Sequence, residues 1–122
     1  GNLVFTAGHL PFANGSVKRG RVGQDTTPED AAEAAKVVAI NLLSSLKAEL
    51  GDLDKVQRVV KLTGFVNCMA GFTGQPSVVN GASDFLVEVF GDKGVHARSA
   101  VGCNSLPLNV PVEIEAVVEV SD

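Results

Sequence analysis

The chain has 122 residues, a formal net charge of −4 and 45% hydrophobic residues. That length suits a single domain, 1–122, with a core of its own and no need of disulfide staples. The ten basic residues are scattered, with Lys18-Arg19-Gly20-Arg21 the nearest thing to a cluster, so no phosphate-neutralising face and no nucleic-acid partner are expected. No apolar run approaches the roughly 20 residues that a membrane-spanning helix needs. Mean hydropathy is +0.22, high for so short a chain, which points to apolar surface covered by other subunits. Cys68 and Cys103 lie far apart and fit no metal-ligand spacing. Two reduced thiols in a cytoplasmic protein are the expectation, an organelle staying open because any leader would precede a chain that starts in a strand.

Leu3 to Ala7 reads as a short apolar strand ending at Gly8. Pro11 to Gly23 reads as a hairpin, with the turn at Asn14-Gly15 and Val17 and Val22 set among basic residues. Thr27 is a candidate N-cap, Pro28 suits the first helical position, and Glu29 and Asp30 complement the positive end of a helix dipole. Ala35, Val38, Ala39, Leu42, Leu46 and Leu50 then recur at helical spacing until Gly51 stops the helix. Val56 to Asn67 is rich in β-branched residues; alternation sends Val60, Leu62 and Val66 one way and Lys61, Thr63 and Phe65 the other. After a loop at Gly71 to Gln75, a second helix is expected from about Pro76 to Phe90, with Val78, Ala82, Leu86 and Val89 as its buried stripe. The last strands, Ala97 to Cys103 and Val110 to Val120, are joined through Leu106-Pro107.

This order, ββαβαββ, predicts an α+β fold: one mixed sheet with two helices on one face. The other face, expected to carry Lys61, Thr63, Phe65, Arg98, Glu113 and Glu115, must be covered by something, and subunit association is the simple answer. Within the last two strands, Arg98, Ala100 and Gly102 share one face of the first, and Glu113 and Glu115 share one face of the second. Val112, Ile114, Ala116 and Val118 would then form core. A guanidinium beside small residues and near carboxylates leaves room for a small anionic ligand, because Arg offers two parallel donors to a carboxylate. The alternative for Arg98 and Glu113 is an intersubunit or cross-strand salt bridge with only a structural role, and Glu115 could pair with Lys61 or Arg98. His9 and His96 are isolated and read as structural, the cysteines as small apolar side chains, and Asn80 as either a site residue or a backbone partner.

Arg98-Ser99-Ala100-Val101, then Leu106-Pro107, then Val112-Glu113-Ile114-Glu115-Ala116, resembles the C-terminal signature of the Rid family, also called YjgF or endoribonuclease L-PSP. Gly1-Asn2-Leu3-Val4-Phe5-Thr6-Ala7-Gly8-His9-Leu10-Pro11 resembles the family's first strand and turn, and Asn80 matches an Asn at the start of its second helix. The resemblance spans essentially the whole chain. It implies a chorismate-mutase-like homotrimer with ligand clefts between subunits, and hydrolysis of reactive 2-imino acids to 2-keto acids and ammonia. Carried over residue by residue, Arg98 would bind the substrate carboxylate and Glu113 would position water, with Gly8, Asn80 and Ala100 lining the cleft. No cofactor and no metal are implied. The chain departs from the best-studied imine deaminases in two places, which suggests a side branch. Ala100 stands where those enzymes carry Cys, and the chain has no Tyr, whereas they carry a cleft Tyr in a segment before the first strand. Absence of that segment is the expectation here. A non-catalytic trimer that binds small carboxylates, or serves as a scaffold, therefore stays open beside the deaminase, as does the ribonuclease of the family's older name.

Overall fold

Thr27 starts the longest helix as expected: its side chain accepts the Asp30 N–H at 3.1 Å, and Pro28 follows it in the first turn. In the computed structural model, which describes residues 2–122, this helix α1 runs Pro28–Leu50 and ends at Gly51, whose φ of +84° is one that glycine adopts without strain. Before it come β1 (Leu3–Phe5) and a hairpin of β2 (Phe12–Ala13) and β3 (Ser16–Val17); after it come β4 (Val56–Asn67), α2 (Gln75–Phe90), β5 (Ala97–Cys103) and β6 (Val112–Val120). Short 3₁₀ turns occupy Leu53–Lys55, Gly91–Gly94 and Pro107–Asn109. Among the described residues no helix is long and apolar enough to cross a membrane.

The hairpin turns at Asn14 and Gly15, both at positive φ, as a two-residue connection between twisted strands requires. It forms a small sheet of its own rather than joining the main one. Asn41 of α1 holds it in place by donating to the carbonyls of Leu10 and Phe12 at 2.9 and 3.0 Å. The main sheet has the order β1-β6-β4-β5, with β4 and β5 parallel and the other pairs antiparallel. It is the mixed sheet with both helices on one face that the element order predicts.

The core lies between that face and the helices, built from Val38, Leu42 and Leu46 of α1, Val78, Val79, Ala82 and Leu86 of α2, and Leu62, Val66, Val112, Ile114 and Val118 of the sheet. Two positions depart from simple periodicity. The β4–β6 register shifts between Val59 and Lys61, so Val59 is buried in place of Val60. In α2, Val89 is 44% exposed and Val79 takes its place, because Gly64 of β4 carries no side chain and lets Val79 seat against the strand.

Two expectations about the C-terminal strands are overturned. β4 lies between β5 and β6, so the strands that carry Arg98 and Glu113 are not neighbours. Arg98 is in register with Leu62, which is fully buried under the helices, and Ala100 is in register with Gly64. Glu113 and Glu115 are in register with Phe65 and Thr63. Since alternate residues of β4 point to opposite faces, Arg98 and Ala100 lie on the helix side of the sheet and Glu113 and Glu115 on the bare side.

The helices approach most closely at Gly81, where a methyl group would come within 1.9 Å of the Ala32 carbonyl oxygen of α1. Replacing a helical glycine by alanine ordinarily stabilises by about 1 kcal/mol. Here the added carbon meets rigid backbone, and overpacking of that kind costs about 1–3 kcal/mol or more. Gly81→Ala is therefore expected to destabilise the fold by about 2 kcal/mol in urea titrations; a stabilised variant would contradict the close approach.

Candidate functional site

β5 is an edge strand, and its helix-side residues meet α2. The half-buried Arg98 donates from Nη1 to Asn80 Oδ1 at 2.7 Å and to Ser83 Oγ at 3.2 Å, both on α2. His96, two residues before Arg98, bonds the same hydroxyl through Nε2 at 2.9 Å. Ala100 and Gly102 continue the strand on the same face, where Gln75 and Cys68 pack over Gly102. Among the described residues Arg98 has no carboxylate partner; the ion pair formed is Arg58–Glu119 at 3.0 Å, between two exposed side chains. Among the described residues the cross-strand salt bridge considered for Arg98 does not form, and Glu115 pairs with neither Lys61 nor Arg98. An exposed pair such as Arg58–Glu119 contributes little, about 0–1 kcal/mol.

The second group of expected residues gathers on the bare face. Residues 7–9 run alongside β6, fixed by reciprocal backbone bonds between His9 and Ile114 at 2.8 and 3.2 Å. This brings Gly8 against Glu113 so closely that a methyl group on Gly8 would lie 2.1 Å from Glu113 Oε2. The carboxylate of the half-buried Glu113 accepts no hydrogen bond and has no cationic partner among the described residues. Around it the bare face exposes apolar side chains among the polar Lys61, Thr63 and Glu115: Phe5 is 73% and Val101 46% exposed, and Phe65 and Val117 share the surface.

The five residues singled out from sequence thus fall into two half-sites: Arg98, Asn80 and Ala100 at the β5–α2 edge, and Glu113 with Gly8 on the opposite face. One supplies an unneutralised cation that can grip a carboxylate. The other supplies an unneutralised carboxylate that can hold water.

Ser83 escaped the sequence reading, though it lies three residues after Asn80 and so on the same helical face; His96 was read as structural. The two histidines are far from forming a pair, since His9 Nε2 meets Ser45 of α1 at 2.7 Å. Both cysteines are free. Burial pushes the Cys103 thiol up, with small additional contributions from Cys68 and Glu113 and an opposing hydrogen bond to the Ser105 backbone. Cys103 is accordingly held as a neutral thiol. Arg21, from the presumed basic loop, is committed to structure: it donates to Asn67 Oδ1 at 3.2 Å and to the Asn104 carbonyl.

Residues 1–119 match the family model described as "YjgF/chorismate mutase-like, putative endoribonuclease". The protein TCP17 of Trypanosoma cruzi is 43% identical over the whole of this chain and 78% of its own length. Among solved structures, Atu1372 of Agrobacterium tumefaciens superposes with a TM-score of 0.97 at 46% identity, covering 99% of this chain and 77% of that one. A Shewanella oneidensis protein named "putative endoribonuclease" gives 0.95 at 28% identity, covering 98% and 80%. These likenesses agree with the chorismate-mutase-like architecture expected from the sequence.

Gly8→Ala isolates one half-site. Its clash is with the free end of a flexible side chain, so stability should change by no more than about 0.5 kcal/mol. A crystal structure of the variant should show the Glu113 carboxylate rotated away, and a carboxylate left in place would contradict the contact.

Proposed function

Because the chain belongs to the YjgF/chorismate mutase-like family, we propose that it hydrolyses 2-imino acids to 2-keto acids and ammonia in clefts between the chains of a homotrimer. Arg98 of one chain holds the substrate carboxylate, and Glu113 of the next positions the attacking water. The observation that carries this reading is the placement of the two half-sites on opposite faces of one sheet, each lacking the charge that the other has. A contact that joins one face of a chain to the opposite face of the next is head-to-tail, and such contacts make a closed ring when the rotation allows. The exposed apolar surface around Glu113 supplies a reason to associate there.

The chemistry asks little of the protein. An imine carbon is already electrophilic. Water adds to it, its proton passing to Glu113, while the imine nitrogen takes up a proton to become an amine. Glu113 returns its proton to that nitrogen as the carbon–nitrogen bond breaks. The hydroxyl releases its remaining proton to water, offsetting the one the imine nitrogen took up from water, which leaves a carbonyl and free ammonia. Arg98 keeps the substrate carboxylate fixed while Glu113 acts. General acid–base help of this kind is worth about 10²–10⁴ in rate, and positioning adds to it.

The Ala100 in place of Cys favours one other reading, a trimer that binds small carboxylates without turning them over. The two readings part at Glu113. With imines generated in solution by an amino-acid oxidase, the native chain should speed keto-acid release, Arg98→Ala should abolish the effect, and Glu113→Gln should lower it by about 10²-fold or more. If Glu113→Gln costs nothing while carboxylates still bind, the non-catalytic reading holds. Mixing the two inactive variants tests the shared cleft. Randomly reassembled Arg98→Ala and Glu113→Gln chains should regain about a quarter of native activity, since one cleft in four then draws both intact groups from different chains. No recovery would overturn the shared cleft.

A further inference from the structure

We infer that His96, acting through Ser83, is a positioning residue that fixes the Arg98 guanidinium so that its Nε–Nη2 edge is what a carboxylate meets. This rests on the proposed role of Arg98, and it concerns two residues that the sequence did not assign to the site.

With a neutral His96 ring, the hydrogen bonds admit one consistent assignment. The Gly94 carbonyl can only accept, so the His96 nitrogen 2.5 Å from it, Nδ1, carries the proton. In the neutral ring Nε2 is then an acceptor, and the Ser83 hydroxyl, 2.9 Å away, donates to it. With its hydrogen committed, Ser83 Oγ is free to accept from Arg98 Nη1 at 3.2 Å. The second hydrogen of Nη1 goes to Asn80 Oδ1 at 2.7 Å. Both Nη1 hydrogens are thereby used. The guanidinium is planar, so fixing one nitrogen fixes the direction of the others. Nε and Nη2, which have no partner among the described residues, form the remaining pair of parallel donors, the arrangement that binds a carboxylate in bidentate fashion.

The chain of bonds has a rigid origin. Gly94 packs against the end of α2 so tightly that a methyl group there would lie 2.4 Å from the Leu86 carbonyl oxygen. Ser83 is buried, on the same α2 face as Asn80. His96 and Arg98 share one face of an extended segment, two residues apart. Backbone at the end of α2 thus orients His96, His96 orients the Ser83 hydroxyl, and Ser83 together with Asn80 orients Arg98.

The test measures binding of 2-ketobutyrate to the assembled full chain by calorimetry, alongside imine turnover. Ser83→Ala should weaken binding about tenfold, the loss typical of one hydrogen bond to a charged group, and raise KM more than it lowers kcat, because the water-positioning Glu113 comes from the next chain and keeps its own contacts. Ser83→Thr should restore affinity. His96→Phe should weaken binding too, and combining it with Ser83→Ala should cost no more than Ser83→Ala alone, since the effect passes through one hydroxyl. If Ser83→Ala does not fold, the contrast between His96→Phe, weakened, and His96→Gln, which keeps an acceptor for the hydroxyl and binds normally, carries the test. Native affinity in Ser83→Ala or in His96→Phe, with binding lost in Arg98→Ala, would overturn the positioning chain and leave the proposed function standing. Equal failure to bind by the native chain and Arg98→Ala would remove both.

Discussion

A β-sheet is a barrier between its two faces, and that constraint organises this protein. Neighbouring residues of β4 look in opposite directions, so the partners that register with them inherit those directions. Leu62 carries Arg98 to the helix side, and Phe65 carries Glu113 to the bare side. No side-chain rotation brings a guanidinium and a carboxylate together through packed backbone and core. Opposite charges that would neutralise each other on one face are instead kept apart and available. Whatever uses both must be built from more than one copy of the sheet.

Satisfaction of polar groups makes the separation informative. Among the described residues no buried side-chain nitrogen or oxygen lacks a hydrogen-bond partner. Asn67 illustrates how thorough this is: fully buried, it donates to Asn109 Oδ1 and the Val110 carbonyl at 3.0 and 3.1 Å, and accepts from Arg21. Those bonds tie the turn before β6, with Leu108 and Asn109 at positive φ, to the segment that leads into α1. Against such a background the spare donors of Arg98 and the carboxylate of Glu113 stand out. Both are half-buried rather than fully buried, so water can satisfy them.

Much of this was legible in the residues. Thr27, Pro28 and Gly51 mark the ends of α1 because capping is local chemistry, decided by side chains within one turn of the helix end. Asn14-Gly15 specifies its turn for the same reason. Val59 and Val60 were not legible, because a bulge depends on how β4 meets β6 and no alternation within β4 encodes it. Nor was Val79 preferred over Val89: the vacancy that accepts it is Gly64, on a strand more than ten residues away. Ser83 could have been found by helical spacing from Asn80, had the helix been known to face β5.

The residues alone determined the helices, the strands, the alternation along each strand and the family, since these follow from local propensity, periodicity and motif. They also nominated Arg98, Glu113, Gly8, Asn80 and Ala100. Only the tertiary structure decided that β4 separates β5 from β6, and hence that the nominated residues divide into two half-sites. Strand order is set by long-range pairing and helix packing, which leave no imprint on the pattern within any one strand. That ordering divided residues expected on one face of the sheet between its two faces.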